Sequence, residues 1–318
     1  MKLEQLYHPK VLNTAKFLLL LVTFVFIFYK LFYAYHLEQL VENYHFEASG
    51  TKLFSLAFAI CFMFFNWLLE AAKWKLLINK NEEISFLDSV KAVVSGIALS
   101  IITPNQIGDF AGRIIHLKKF NKIKGSLVTV IGHTAQVIMT LAFGLFAFIY
   151  MLHSQGKLTD TISLWLYVLS MVSIIIAVIG FINIRFVSKI SISKKIAPYL
   201  DVFSFYTKTE LVKVLMYSFL RYSIFIVQYV LLLHFFGVEI SLLSSVCCII
   251  ATLCAQSFVP SFLLIEIGMR GVSALFFFSM FTNNSAGVLL SAYSLWIINL
   301  MLPAFYGLVV IVNHKFKK

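Results

Sequence analysis

Long uninterrupted apolar runs decide what this chain can become. A bilayer core of about 30 Å takes roughly 20 apolar residues of helix to cross it. Six runs reach that length, at about 17–35, 53–69, 127–152, 163–182, 211–236 and 286–312. Spans must be helical, because lipid offers no partner for bare backbone N–H and C=O groups. The abundant Phe, Ile and Val would favour strands in water, but run length and the lack of polar alternation override that preference. With 60% apolar and 13% charged residues over 318 positions, the chain has too little polar surface to cover a water-facing core. A soluble enzyme, a disordered chain and a nucleic-acid-binding domain are thereby excluded.

The net charge of +12 is then a question of sidedness. Segments 1–16, 73–91, 118–124, 185–213 and 315–318 hold 20 of the 26 Lys and Arg residues. The intervening linkers hold only Lys52 and Lys157, with Glu38, Glu42, Glu47, Asp160 and Glu239. By the positive-inside rule the basic set is cytoplasmic, which predicts a plasma-membrane protein with both termini inside. The run after Lys16 is too long, and lacks a small-residue cleavage site, for a removable leader.

Two further stretches do not read as simple spans. The stretch 86–117 has basic flanks on both sides and is interrupted by TPNQIGD at 103–109. The stretch 242–281 is flanked by GVEI and TNNS, without Lys or Arg, and is interrupted at 259–271 by VPSFLLIEIGMRG. Proline removes a backbone donor and disturbs the preceding turn, and glycine lets the chain turn tightly. Apolar, break, apolar with both ends on one face predicts a re-entrant helical hairpin. The second stretch is also long enough for two kinked spans. The two hairpins enter from opposite faces with Pro104, Gly108, Pro260 and Gly268 at their tips, an inverted-repeat arrangement with a central site. The expected fold is therefore an all-α polytopic membrane protein, a single domain over 1–318, with six full transmembrane helices plus two re-entrant hairpins.

Ionisable groups at membrane depth are costly, and each needs a partner. They are Asp109, Arg113, Arg221, Glu266 and Arg270. Asp109–Arg113 and Glu266–Arg270 share an i,i+4 spacing and hence a helix face. Self-neutralising pairs explain this pattern, and so does a site in which Arg113 and Arg270 bind an anionic headgroup; the two readings are compatible. Arginine's planar fork suits phosphate, and half-helix N-termini at Gly108 and Gly268 would add free amides. Arg221 either pairs with a hairpin carboxylate or contributes to an anion path. Asn66 and His133 are expected to hydrogen-bond across helices. Glu70, Lys73 and Lys75 sit at a span end beside Trp74 and are expected to snorkel or be solvated.

No catalytic constellation is present: no Ser/His/Asp set, HExxH, P-loop or CxxC pair, and no paired Asp residues with metal-ligand spacing. No metal or cofactor is expected. Cys61, Cys247, Cys248 and Cys254 lie in apolar runs and are expected to be inert.

At its broken stretches the chain resembles a known family. SIITPNQIGDFAGRI (100–114) resembles the TPxxxGExxR-type motif of the transmembrane region of lysylphosphatidylglycerol synthases, with Asp109 in place of Glu. FVPSFLLIEIGMRGVSALFF (258–277) resembles that family's second motif, and NWLLEAAKWKLLI (66–78) its Asn…Arg-Trp segment. The resemblance implies a flippase-like domain with two re-entrant hairpins, and carries over Asp109, Arg113, Glu266 and Arg270 as polar cavity residues. The sequence holds no aminoacyl transferase segment, so a stand-alone member is expected. Its expected partners are membrane lipids with anionic headgroups and an enzyme that makes the lipid. A membrane-embedded glycosyl or phosphoryl transferase and a non-transporting accessory subunit are the alternatives.

Overall fold

Side-chain caps at the ends of the apolar runs set where the helices begin. Residues 49–101, 103, 106–118, 121–189, 197–258 and 263–314 are described by the computed structural model, with backbone alone at 263–266. The expected first span at 17–35, Pro104 and Pro260 lie outside the described residues. Helix α1 (Gly50–Ile78) starts where the Ser49 side chain accepts from the Lys52 amide. A short pair follows, α2 (Phe86–Ile101) and α3 (Ile107–Ile114). Helix α4 (Lys122–Ser154) is capped by Asn121 and α5 (Asp160–Ile182) by Thr159. Helix α6 (Lys208–Phe235) opens on a reciprocal capping box between Thr207 and Glu210. A second short pair is α7 (Leu242–Ser257) and α8 (Leu263–Phe278). The last helix, α9 (Ser285–Asn313), is capped by Asn284. The described residues hold helices and no strands.

Five of these helices, α1, α4, α5, α6 and α9, are long and apolar enough to cross a membrane. Their sidedness is inside-out relative to a water-soluble bundle. On α1 the outward face carries Phe54, Phe58, Phe64 and Phe65, all exposed. Its inward face carries Ser55, Ala59, Met63, Asn66, Glu70, Lys73 and Trp74, spaced at helical intervals. Helix α5 exposes Leu164, Trp165, Leu169 and Ile176 in the same way.

In lipid there is little hydrophobic drive between helices, so they hold together by close packing and interhelical hydrogen bonds. Helices α2 and α3 run antiparallel in backbone contact. A Cβ at Gly108 would collide with the Leu99 carbonyl, and one at Gly112 with the Ser95 carbonyl. Gly307 brings α9 equally close to the Val94 carbonyl of α2. The connection between α2 and α3 passes through Gln106, held in the left-handed region at φ 56°. Helices α7 and α8 are also antiparallel. Gln256 donates to the Ser273 hydroxyl at 3.1 Å, and the Cys248 thiol to the Phe277 carbonyl at 3.4 Å. Both broken stretches are thus folded-back helix pairs.

Helix α9 is not regular. Residues Ile297–Met301 form a π-helical stretch just before Pro303. Proline has no N–H to give to the carbonyl four residues back, and a one-residue bulge is a common way to absorb the break. Cys247, Cys248 and Cys254 are buried free thiols, whereas Cys61 is exposed on the outward face of α1.

The basic linkers gather at one end of the bundle. Lys80 pairs with Glu210 at 2.6 Å, the Tyr206 hydroxyl donates to the Leu77 carbonyl at 2.9 Å, and Glu82 accepts from the Lys118 amide. His116, beyond the end of α3, contacts Ser95 at 2.9 Å and stacks edge-on against His314 at 4.7 Å. Burial, then the neighbouring His314, push the His116 pKa down to about 4, with Asp88 opposing and Lys91 adding slightly. An unfolded histidine takes its proton near pH 6.5. The unfolded chain therefore binds more protons between about pH 6.5 and 4, and stability falls as pH drops through that window. The wild type should lose a few degrees more of melting temperature across it than His116→Gln, measured in detergent. Parallel pH profiles would contradict this.

Candidate functional site

The site is built from the inward stripe of α1. Asn66, Glu70, Lys73 and Trp74 recur at helical spacing, so all four point to the same side. Glu70 is 4% exposed and is the hub of the stripe. Its Oε1 accepts from Arg113 Nη1 of α3 at 2.8 Å. Its Oε2 meets Lys73 Nζ at 2.8 Å and also accepts from Arg221 Nη1 of α6. Arg113, 5% exposed, donates through Nε to Asp109 Oδ1 at 2.9 Å and lies over the Trp74 ring at 5.5 Å. The other Asp109 oxygen contacts His133 Nε2 of α4 at 2.8 Å. Arg221 Nε donates to Asn66 Oδ1 at 2.7 Å. Lys73 Nζ reaches the Gly132 carbonyl at 3.3 Å and the Ser218 hydroxyl at 3.5 Å. Five charged side chains from α1, α3 and α6 thus form one continuous network, with His133 of α4 at its edge.

Beside this network is a cavity of about 330 Å³. Glu70, Lys73, Asp109, Arg113, His133 and Arg221 line it, together with Arg270 of α8. Among the described side chains, four cations, Lys73, Arg113, Arg221 and Arg270, face two carboxylates, Glu70 and Asp109. Neutral polar groups complete the lining. Asn299 Oδ1, Gln136 Oε1 and Trp296 Nε1 are buried there without a hydrogen-bond partner. Asn299 lies in the π-helical stretch, and its Nδ2 donates to the Leu295 carbonyl at 3.1 Å, which fixes the amide's orientation. Orphaned buried polar groups beside a cavity invite an occupant that can bond to them.

Several sequence expectations hold here. Asp109 and Arg113 pair at i,i+4, Asn66 bonds across helices to Arg221, and His133 bonds to Asp109. Of the two roles left open for Arg221, pairing is seen with a carboxylate of α1, Glu70, among the described side chains. Arg270 lines the cavity and donates to Gln256 Oε1 at 3.4 Å, while the Glu266 side chain lies outside the described residues.

Other expectations are corrected. Glu70 and Lys73 neither snorkel nor face water: Lys73 is 1% exposed, as is Trp74. The reason is that α1 continues to Ile78, about two turns past Glu70, so these residues lie inside the bundle. Lys75, on the other face, is partly exposed. The Gly108 amide donates to Thr103 Oγ1 at 2.7 Å and is not free for an anion. Gly268 lies beyond the first turn of α8, which begins at Leu263, so its amide belongs to the helix interior. Glu70, Lys73, Gln136 and Asn299 were not assigned to the site from sequence. The i, i+4, i+7 recurrence of Asn66, Glu70 and Lys73 was the available signal.

A family model described as lysylphosphatidylglycerol synthase TM region matches residues 13–305. No curated protein and no solved structure shows a significant match.

Proposed function

The chain belongs to the lysylphosphatidylglycerol synthase TM region family, and on that membership we propose that it moves a lipid headgroup between leaflets through the cationic cavity. The headgroup is that of an anionic phospholipid or a polyprenyl-linked lipid, and its acyl tails stay in the surrounding bilayer. The observation that carries this reading is the cavity's charge: four described cations against two carboxylates, among helices long and apolar enough to cross a membrane. A charge at the bilayer centre costs roughly 2.5–3.5 kcal/mol on insertion scales. Fixed cations lower the matching cost for a phosphate, because they replace its water with charge-assisted hydrogen bonds.

In this reading Asp109, Arg113, Arg221, Arg270 and Glu266 form the headgroup path. The pairs α2–α3 and α7–α8 are re-entrant and approach the cavity from opposite faces, alongside six full spans. The basic end of the bundle faces the cytoplasm of a plasma-membrane protein, where anionic lipid favours it and where a lipid-synthesising enzyme supplies the substrate.

Leaflet exchange of acyl-labelled phosphatidylglycerol in proteoliposomes, read by dithionite quenching, tests the proposal. Arg270→Gln should slow exchange about tenfold or more, the equivalent of one lost charge-assisted hydrogen bond, with the melting temperature kept within a few degrees. Undiminished exchange in folded Arg270→Gln and Arg221→Gln would sink the role.

A further inference from the structure

We infer that Lys73, Arg113 and Arg221 form a ready-made oxyanion site, that Glu70 fills it as a built-in ligand, and that a phosphodiester enters by displacing Glu70. The identity of that phosphodiester as a lipid headgroup rests on the reading above; the oxyanion site does not.

The first ground is saturation. Both Glu70 oxygens are taken, Oε1 by Arg113 and Oε2 by Lys73 and Arg221, so one carboxylate answers three cations. The second ground is independent support. Each cation is held by a partner other than Glu70: Arg113 by Asp109, Arg221 by Asn66, and Lys73 by the Gly132 carbonyl and Ser218. Trp74 braces Arg113 from below. With Glu70 withdrawn, the three donors stay aimed at the vacated point, which is the preorganisation an anion site needs. The third ground is access, since Glu70, Lys73, Arg113 and Arg221 all line the cavity.

The ligand class follows from the displaced group. A carboxylate offers two oxygens sharing one negative charge. A phosphodiester likewise has two non-bridging oxygens sharing one charge, so it takes over the Arg113 and Arg221 donors that Glu70 gives up and shares Lys73, and its charge matches the surplus of three cations over Glu70 and Asp109. Glu70 stays bonded to Lys73, its i,i+3 neighbour on α1, and can return when the phosphodiester leaves. Because Glu70 keeps its contact with Lys73 throughout, no step leaves the three cations without a counter-charge.

The test removes the internal ligand and asks whether an external one replaces it. Glu70→Ala should melt well below the wild type in chloride. Dimethyl phosphate at the same ionic strength should restore several degrees, by mass action on the folded state, and shift the wild type less, because there it competes with Glu70. Inorganic phosphate and phosphatidylglycerol-doped micelles, run in parallel, separate a free anion from a lipid headgroup; recovery with either supports the site. The double variant Glu70→Ala with Arg221→Gln should lose the recovery. Glu70→Gln, which keeps the side chain's shape, is the second variant. If neither variant is recoverable in chloride, purification in dimethyl phosphate becomes the assay: folded protein there supports the site, and aggregate in both overturns it. Equal melting of Glu70→Ala in chloride and in all three phosphates also overturns it. Rescue with no leaflet exchange in the wild type would overturn the lipid reading and leave the oxyanion site standing. Exchange without rescue would do the reverse.

Discussion

Arg113→Ala is expected to cost about 3–5 kcal/mol of stability, the range for breaking a buried ion pair from one side. Arg113 is buried and serves two carboxylates, Glu70 through Nη1 and Asp109 through Nε. Among the described side chains, its removal leaves Asp109 with His133, and Glu70 with Lys73 and Arg221. The loss also uncovers Trp74, over which the guanidinium lies. Arg113→Lys should fall between, since one ammonium reaches one carboxylate at a time and has no planar fork to bridge two. Chemical denaturation in detergent micelles would measure both. A loss below about 1 kcal/mol for the alanine variant, the scale of an exposed pair, would mean that water reaches the network freely.

The second large effect is expected at Gly112. A methyl group there meets the Ser95 carbonyl and the Gly96 amide of α2. These are backbone atoms, so no rotamer change relieves the collision and the two helices must separate. Overpacking typically costs 1–3 kcal/mol and sometimes more. Gly112→Ala should lie at or above the top of that range, because Asp109 and Arg113 ride on the same short helix and shift with it. Gly180→Ala in α5 is the matched control. Its added methyl meets nothing within 4 Å, so the substitution should be neutral or stabilise by up to about 1 kcal/mol through helix propensity. Similar losses for the two variants would show that the close approach of α2 and α3 is not what holds them.

Much of this architecture was legible in the residues. Apolar run length located α1, α4, α5, α6 and α9, because the bilayer thickness is an external ruler that needs no tertiary information. The breaks at 103–109 and 259–271 marked the folded-back pairs, because proline and glycine act locally. The Asp109–Arg113 pair was legible because i,i+4 spacing fixes a shared face. The end of α1 was not legible. Hydropathy falls away after Leu69, yet the helix continues to Ile78, where its last turns are held by Tyr206 on the Leu77 carbonyl and Ser89 on the Ala71 carbonyl. Those contacts are far apart in sequence. Misplacing that end put Glu70 and Lys73 at the interface when they are central to the charged network. Gly268 failed because α8 already begins at Leu263, which the glycine alone does not reveal.

Helix α1 also changes where the identity of such a chain resides. Its outward Phe54, Phe58 and Phe65 are exposed among the described residues, and any bulky apolar residue would serve there almost equally. Its inward Asn66, Glu70 and Lys73 each answer a named group on another helix. Nearly all the specification of α1 is thus carried by a few polar letters in an otherwise degenerate alphabet. For comparing chains of this kind, three residues on that stripe say more than the run of hydrophobic ones around them.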